Sequence, residues 1–354
     1  MTALRAALVT PLSGPLAAFG QAGAVALKLW AARAAALPRP WTRVELEVLD
    51  GHPSAGAAAR QASARQPHVI FGPYGSGPAI AAVRATERMV WNHGGATDRL
   101  RWPAFAHAVN VLAPATSYFA AVLQAVHAVD STACTVSLVF GATGFGREVA
   151  RGALETGARL GLEMQPHEFA PGQAVAVARV LAPADVLLVA GSFADELALA
   201  GLTPGRMYKF AAFVSAGVEE VLAPLGSARD GLLGPCQWLG RVAESPTEGP
   251  DATWFGDAYH THMRSDPPYP AGAAFAAGVL YSRCLREAGT TEDEALLAVA
   301  QTLEVRTLFG RFRLDPHTGQ QLGHQVLVVQ WQQGERRVVW PPERAERPLL
   351  LRQI

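Results

Sequence analysis

His68-Val69-Ile70-Phe71-Gly72-Pro73-Tyr74-Gly75-Ser76-Gly77-Pro78 is the stretch on which the fold reading turns. His68–Phe71 is short, apolar and rich in strand formers. Gly72–Pro78 reads as a tight turn, and a helical pattern runs on to about Met89. Strand, glycine-rich turn and helix form the repeating unit of a parallel α/β sheet. The same unit lies upstream. Arg5–Thr10 is a strand and Leu12–Gly20 a turn, and Ala22, Val25, Leu29, Ala32 and Ala36 recur at helical spacing until Pro38 and Pro40. Val44, Leu46 and Val48 alternate with Glu45 and Glu47, a strand with one wetter face, and Ser54 can cap a helix to about Gln66. Downstream, Met89–Asn92 is a strand and His93–Thr97 a loop.

The rhythm then resumes. Thr135–Phe140 is a strand, Gly141–Gly146 a turn and Arg147–Leu160 a helix. Asp185–Ala190 is a strand, Gly191–Phe193 a turn and Asp195–Ala200 a short helix, followed by the strand Lys209–Phe213. Two runs of β-α units predict two parallel sheets flanked by helices. From about Asp251 the pattern is helical, over Asp251–Met263, Ala271–Ala288 and Thr291–Leu303, and the chain ends in β-like Gly310–Leu314, Val326–Trp331 and Arg337–Trp340. Helices that follow two complete sheets must pack back onto one of them, so the chain passes between lobes more than twice.

The chain has 354 residues, too many for one ordinary core, and half of them are hydrophobic. Formal net charge is zero with both signs interspersed, which excludes a basic nucleic-acid face or a polybasic membrane patch. Cys134, Cys236 and Cys284 are odd in number and scattered, so they are neither a disulfide framework nor a zinc site, and each reads as a small buried apolar residue. The apolar Met1–Ala18 is interrupted by Pro11, Gly14 and Pro15, and reads as strand, loop and helix rather than as a signal peptide. The sequence thus starts at the folded domain, either with a leader removed or as a cytoplasmic protein.

Ligands of open parallel sheets bind outside the carboxyl ends of the strands. The loops expected there are Leu12–Gly20, Gly72–Gly77, His93–Thr97, Gly141–Gly146, Gly191–Phe193 and Val214–Gly217. They offer backbone N–H groups and helix starts for an anion, with Phe19, Tyr74, Phe145 and Phe193 as apolar walls. Each residue also has a plainer reading: Ser76 as a helix cap, Thr97 as a turn residue, and the four aromatics and Trp238 as core. Enzyme signals are weak. Gly141–Gly146 lacks dinucleotide-binding spacing, Tyr74 spoils a nucleophile elbow at Ser76, and His260 and His262 do not share a helix face as metal ligands would. His93 beside Gly94-Gly95 has the chemistry of a base, though packing explains it as well, and no paired carboxylates stand out. No catalytic residue, metal or cofactor is expected.

At these loops the sequence resembles the type I periplasmic binding proteins, the leucine/isoleucine/valine-binding type of ABC-importer receptor. The resemblance is carried by Leu12-Ser13-Gly14-Pro15 with Phe19-Gly20, by Phe71–Ser76, and by Gly94-Gly95-Ala96-Thr97. Phe145-Gly146, Gly191-Ser192-Phe193 and Tyr269-Pro270-Ala271 follow in the same order, then Phe309–Phe312, Thr318-Gly319 and His324–Trp331. It implies two doubly wound parallel-sheet lobes joined by three crossovers, placed here near Ala113, Arg241 and Gly323. Lobe 1 is then 1–113 with 242–322 and lobe 2 is 114–241 with 323–354, with a ligand cleft between them. It further implies a ligand carboxylate held by Ser76, Gly95 and Thr97, and the rest of the ligand lined by Phe19, Phe145 and Phe193. Tyr74, Ser215 and Trp238 complete the candidate set.

One departure bears on the ligand. Amino-acid binders of this family place an acid for the ligand ammonium after the strand matching Lys209–Phe213, and here that loop is Val214-Ser215-Ala216-Gly217, with Glu219 and Glu220 further on. A buried ammonium without a counter-charge is costly, so carboxylate-bearing aromatic or aliphatic compounds and small amides compete with leucine-type ligands. The expected function is an extracytoplasmic receptor, periplasmic or at the cell surface, handing a small ligand to ABC transporter membrane subunits. The alternative is a ligand sensor of the same fold, including a cytoplasmic one, that signals through a partner protein.

Overall fold

The computed structural model describes residues 2–33, 37–202, 208–218 and 221–352. The chain divides into two compact units, Met1–Pro114 with Trp238–Gln325, and Ala115–Gln237 with Val326–Ile354. Pro114 and the segments 238–241 and 323–325, assigned to the second lobe from sequence, therefore fall in the first unit. Trp238 explains the difference at 238–241, because it packs on Phe255 and Phe309 of that unit.

The first unit opens with β1 (Thr2–Thr10), α1 (Ala17–Ala32), β2 (Trp41–Asp50), α2 (Ala55–Ala64), β3 (Val69–Tyr74), α3 (Ser76–Arg84), β4 (Val90–Gly94) and β5 (Ala108–Asn110). The strands form one sheet in the order β2-β1-β3-β4-β5, and every pairing is parallel. Alternation decides what lies on each face. Ala7, Val9 and Leu49 pack on Ala55, Ala58, Ala59 and Ala62 of α2, while Ile70 and Val90 pack on Ala79, Ile80 and Val83 of α3. Phe71 and Trp91 point the other way, toward Trp30 of α1 and Tyr281. The Ser54 side chain accepts the Ala57 N–H, the cap expected from sequence. The turn after β3 is shorter than expected, because β3 pairs with β4 as far as Tyr74 opposite Gly94 and Pro73 makes no rung of that ladder.

The second unit follows with α4 (Ser117–Val129), β6 (Thr135–Gly141), α5 (Gly144–Leu160), β7 (Glu163–Phe169), α6 (Ala174–Ala178), β8 (Val186–Ala190), α7 (Phe193–Leu202), β9 (Phe210–Phe213) and β10 (Leu232–Cys236). The chain then returns to the first unit as α8 (Ala252–Met263), α9 (Tyr269–Ala288), α10 (Asp293–Thr302), β11 (Val305–Thr307) and β12 (Gly310–Phe312). It ends in the second unit with β13 (Leu327–Gln332) and β14 (Glu335–Trp340). The second sheet runs β14-β13-β10-β9-β8-β6-β7; its core is parallel, and the terminal hairpin joins it antiparallel. Gln333 and Gly334, both at positive φ, make the two-residue turn that such a hairpin needs. The architecture is thus α/β, with two parallel-dominated units between which the chain passes three times.

Two cysteines fit their expected place and one does not. Cys236 and Cys284 are buried, whereas Cys134 is exposed, because it precedes β6 and its N–H and thiol turn to the Asp185 carboxylate. Ala36, counted in the α1 periodicity, lies outside the described residues. Among the described residues no helix is long and apolar enough to cross a membrane.

Candidate functional site

In the first unit, five candidate residues lie at or just beyond the carboxyl ends of β1, β3 and β4. Phe19, in the first turns of α1, stacks on Tyr74 at the end of β3, with ring centroids 4.7 Å apart and planes at 21°. The Tyr74 hydroxyl is 2.9 Å from that of Tyr269, the first residue of α9. Gly75 then turns the chain at φ +98°, a conformation that favours glycine, and its N–H bonds the Gly94 carbonyl of the adjacent strand. Ser76 is the first residue of α3 and half-buried. Gly75 occupies the cap position of this helix and no acid lies in its first turn, so Ser76 is the first helical residue rather than the cap. Gly77 beside it is exposed, with open space where a Cβ would lie. A half-buried serine therefore sits at the positive end of a helix, where an anion is favoured, two residues after Tyr74, which like Phe19 is largely buried.

The neighbouring loop is built by two buried asparagines. Asn92 in β4 accepts the Gly95 N–H on Oδ1 at 2.9 Å, and its Nδ2 donates to the Gly95 carbonyl at 2.7 Å and to Asn110 Oδ1 at 2.9 Å. Asn110 donates onward to the carbonyls of Leu100 and Gly319. The Gly95 N–H is therefore committed within the protein, and only a second lone pair of its carbonyl is left for a ligand. Gly95 must be glycine for space, since a Cβ there would come 2.4 Å from the Ala79 Cβ. Thr97 is buried and its Oγ1 accepts the Arg99 N–H at 3.1 Å, so it does act as a turn residue. His93 lies in β4 rather than in a loop and is 1% exposed. A Cβ at Gly23 of α1 would approach its ring to 3.5 Å. Burial pushes its pKa down to about 4, so the imidazole is neutral and packed.

In the second unit, Phe145, Phe193 and Ser215 follow β6, β8 and β9. Phe145 is half-buried in the first turn of α5, edge-on to Tyr118 at 5.9 Å. Thr143 caps that helix through the Gly146 N–H at 3.0 Å. Tyr118 is buried, its hydroxyl accepts from Gln237 Nε2 at 3.0 Å, and burial raises its pKa to about 12. Phe193 is half-buried at the start of α7, and Ser215 is fully buried. Trp238 joins neither group. It is 3% exposed, its Nε1 donates to the Leu308 carbonyl at 2.7 Å, and Gly272 abuts its ring, so it takes the core reading.

Two acids missed in the sequence dominate the loops of the second unit. Asp195 and Glu196 lie in the first turn of α7 and are buried. Asp195 accepts the Gly172 N–H and the Ser192 hydroxyl, and Ser192 Oγ accepts the Asp195 N–H in return. Glu196 accepts the Gly191 N–H at 2.8 Å and the Ser215 N–H at 2.7 Å. Burial pushes its pKa up to about 7, against the N–H bonds that favour its charge. Ser192 three residues before Asp195 is a capping-box pattern and was available as a signal. The reach of Glu196 to Ser215 was not, since it spans 19 residues. Glu219 and Glu220 lie outside the described residues.

Among the described residues no three His, Cys, Asp or Glu side chains group as a metal site would. The first unit offers an anion-favouring helix start near an aromatic pair, and the second offers half-buried Phe145 and Phe193 and a buried carboxylate that holds two loop N–H groups. Both arrangements suit binding. Solved structures share the fold. The leucine-binding protein LivK of Thermotoga maritima is 17% identical, with a TM-score of 0.79 over 95% of this chain and 97% of its own. LivJ of Streptococcus pneumoniae, a branched-chain amino acid transporter substrate-binding protein solved with isoleucine, is 15% identical, with a TM-score of 0.79 over 96% and 100%. An ABC transporter solute-binding protein of R. palustris solved with benzoate is 16% identical, with a TM-score of 0.77 over 96% and 96%. The periplasmic binding protein family model matches residues 3–336, nearly the whole chain, and the chain belongs to that family of solute-binding proteins rather than to an enzyme family.

Proposed function

We propose that the protein is the extracytoplasmic receptor of an ABC importer and binds a small carboxylate-bearing ligand, its anionic group at Ser76 and Thr97. The observation that carries this reading is the start of α3, where Gly75 holds the cap position and Ser76 follows it as the first helical residue, Gly77 is open and no acid occupies the first turn. The stacked Phe19 and Tyr74 beside it suit an apolar ligand body. The ligand's far part meets the loops of Phe145, Phe193 and Ser215, and closure of the two units over the ligand couples recognition to delivery. Val214–Gly217 has no acid, which favours carboxylates with an uncharged far end over leucine-type zwitterions.

A thermal-shift and calorimetry panel tests the reading with benzoate, 3,4-dihydroxybenzoate, isoleucine, leucine and the keto acid of leucine. A ligand at about 100 times its Kd stabilises by about 2.7 kcal/mol. Benzoate, 3,4-dihydroxybenzoate or the keto acid is expected to raise the melting temperature more than leucine or isoleucine, with the effect weakened in Ser76→Ala. A panel in which nothing stabilises, or in which Ser76→Ala binds as well as the parent, overturns it.

A further inference from the structure

The first turn of α7 does more than start a helix. Ser192 and Asp195 already complete its N-terminus by bonding each other. Glu196 adds nothing to that cap, and it is 1% exposed, a costly place for a carboxyl group. What it gains lies outside the helix: the Gly191 N–H on Oε1 and the Ser215 N–H on Oε2. Its neighbour Asp195 holds the Gly172 N–H in the same way. Loops that follow three parallel strands, β7, β8 and β9, are thereby fastened to one helical turn. Phe193 and Ser215, the candidate ligand residues of two of those loops, stand immediately beside the fastened N–H groups.

We propose that Glu196 is a positioning residue for ligand recognition: its carboxylate locks the Gly191–Phe193 and Val214–Gly217 loops together and so sets where Phe193 and Ser215 meet the ligand. An aliphatic side chain of the same size would fill the space without joining the loops. The inference rests on the reading of these loops as ligand loops. It adds that an acid acts here through backbone N–H groups rather than from within Val214–Gly217.

Hydrogen exchange read by mass spectrometry on the full chain tests it, at a pH above the raised pKa of Glu196 so that the parent carries the carboxylate, with Glu196→Gln and Glu196→Asp compared with the parent. The amide of Gln keeps one acceptor and sets an NH2 against the other N–H, and Asp keeps the charge but is one methylene too short to span both loops. Exchange at Gly191 and Ser215 is expected to be about tenfold faster in both variants, with peptides across Ser76 and Thr97 unchanged as the control for folding. The probe is whichever of benzoate and isoleucine slows exchange across Ser76 and Thr97 in the parent, and its affinity is expected to fall at least about tenfold in Glu196→Gln. Unchanged exchange at Gly191 and Ser215 overturns the lock. Faster exchange with probe affinity held within about twofold overturns its part in recognition. Failure of both probes to protect Ser76 and Thr97 in the parent counts against the ligand reading instead, and exchange at Gly191 and Ser215 still decides the lock.

Discussion

Replacing Glu196 by Gln removes an ionisation that the fold makes unfavourable, and the consequence is a change in how stability depends on pH. Burial raises the carboxyl from its ordinary 4.5 to about 7. Between those values the folded chain keeps a proton that the unfolded chain has released, so stability falls as pH rises through the window. A gap of about 2.5 between the two values corresponds to about 3 kcal/mol. His93 acts in the opposite sense. Burial lowers it from 6.5 to about 4, so the unfolded chain holds the extra proton and stability rises with pH over nearly the same window. The two terms offset each other in the parent, which hides both. Glu196→Gln uncovers the rise due to His93. Relative to that variant, the parent should lose about 2–3 kcal/mol between about pH 5 and about pH 8. Asp50, lowered to about 2 by its bond from Ser13, titrates below this range and cancels in the comparison. Urea unfolding at a series of pH values, followed by far-UV circular dichroism and tryptophan fluorescence, measures the difference. A parent-to-variant gap that stays constant across the series would falsify the assignment of a buried, late-titrating carboxyl at Glu196.

Ser76→Ala should weaken binding of a carboxylate ligand by about 10- to 150-fold, the worth of one hydrogen bond to a charge, with the ligand-free melting curve unmoved. Thr97→Ala should lower both affinity and stability, because its hydroxyl also holds the Arg99 N–H; paired calorimetry and melting curves separate the effects. Asn92→Ala strands the Gly95 N–H and Asn110 Oδ1 and removes a donor from the Gly95 carbonyl, and should cost at least about 2 kcal/mol in urea unfolding. Trp238→Phe should destabilise the fold by about 1–3 kcal/mol through the lost bond to Leu308 and the smaller ring, while leaving ligand affinity unchanged by calorimetry.

The parallel α/β plan was legible because strand, glycine turn and helix each leave a local mark, as in Val69–Tyr74, Gly75 and Ser76–Arg84. What escaped was of three kinds. Edge and interrupted strands lack alternation: Glu163–Phe169 is polar and carries Pro166, and Leu232–Cys236 is broken by Gly234-Pro235, yet both pair because their neighbours supply the ladder. Residues whose work is to hold a loop were not visible, since Asn92 and Glu196 act on backbone groups that sequence spacing does not reveal. Trp238 stayed open between ligand and core because an aromatic after a strand end looks the same whether its indole faces a ligand or the Leu308 carbonyl.

Mass spectrometry of small molecules released by denaturing the purified, undialysed protein tests the central claim most directly. The account predicts a stoichiometric small compound bearing a carboxylate, retained by the parent and depleted in Ser76→Ala. A released compound without an acidic group, or equal retention by the parent and Ser76→Ala, would contradict it.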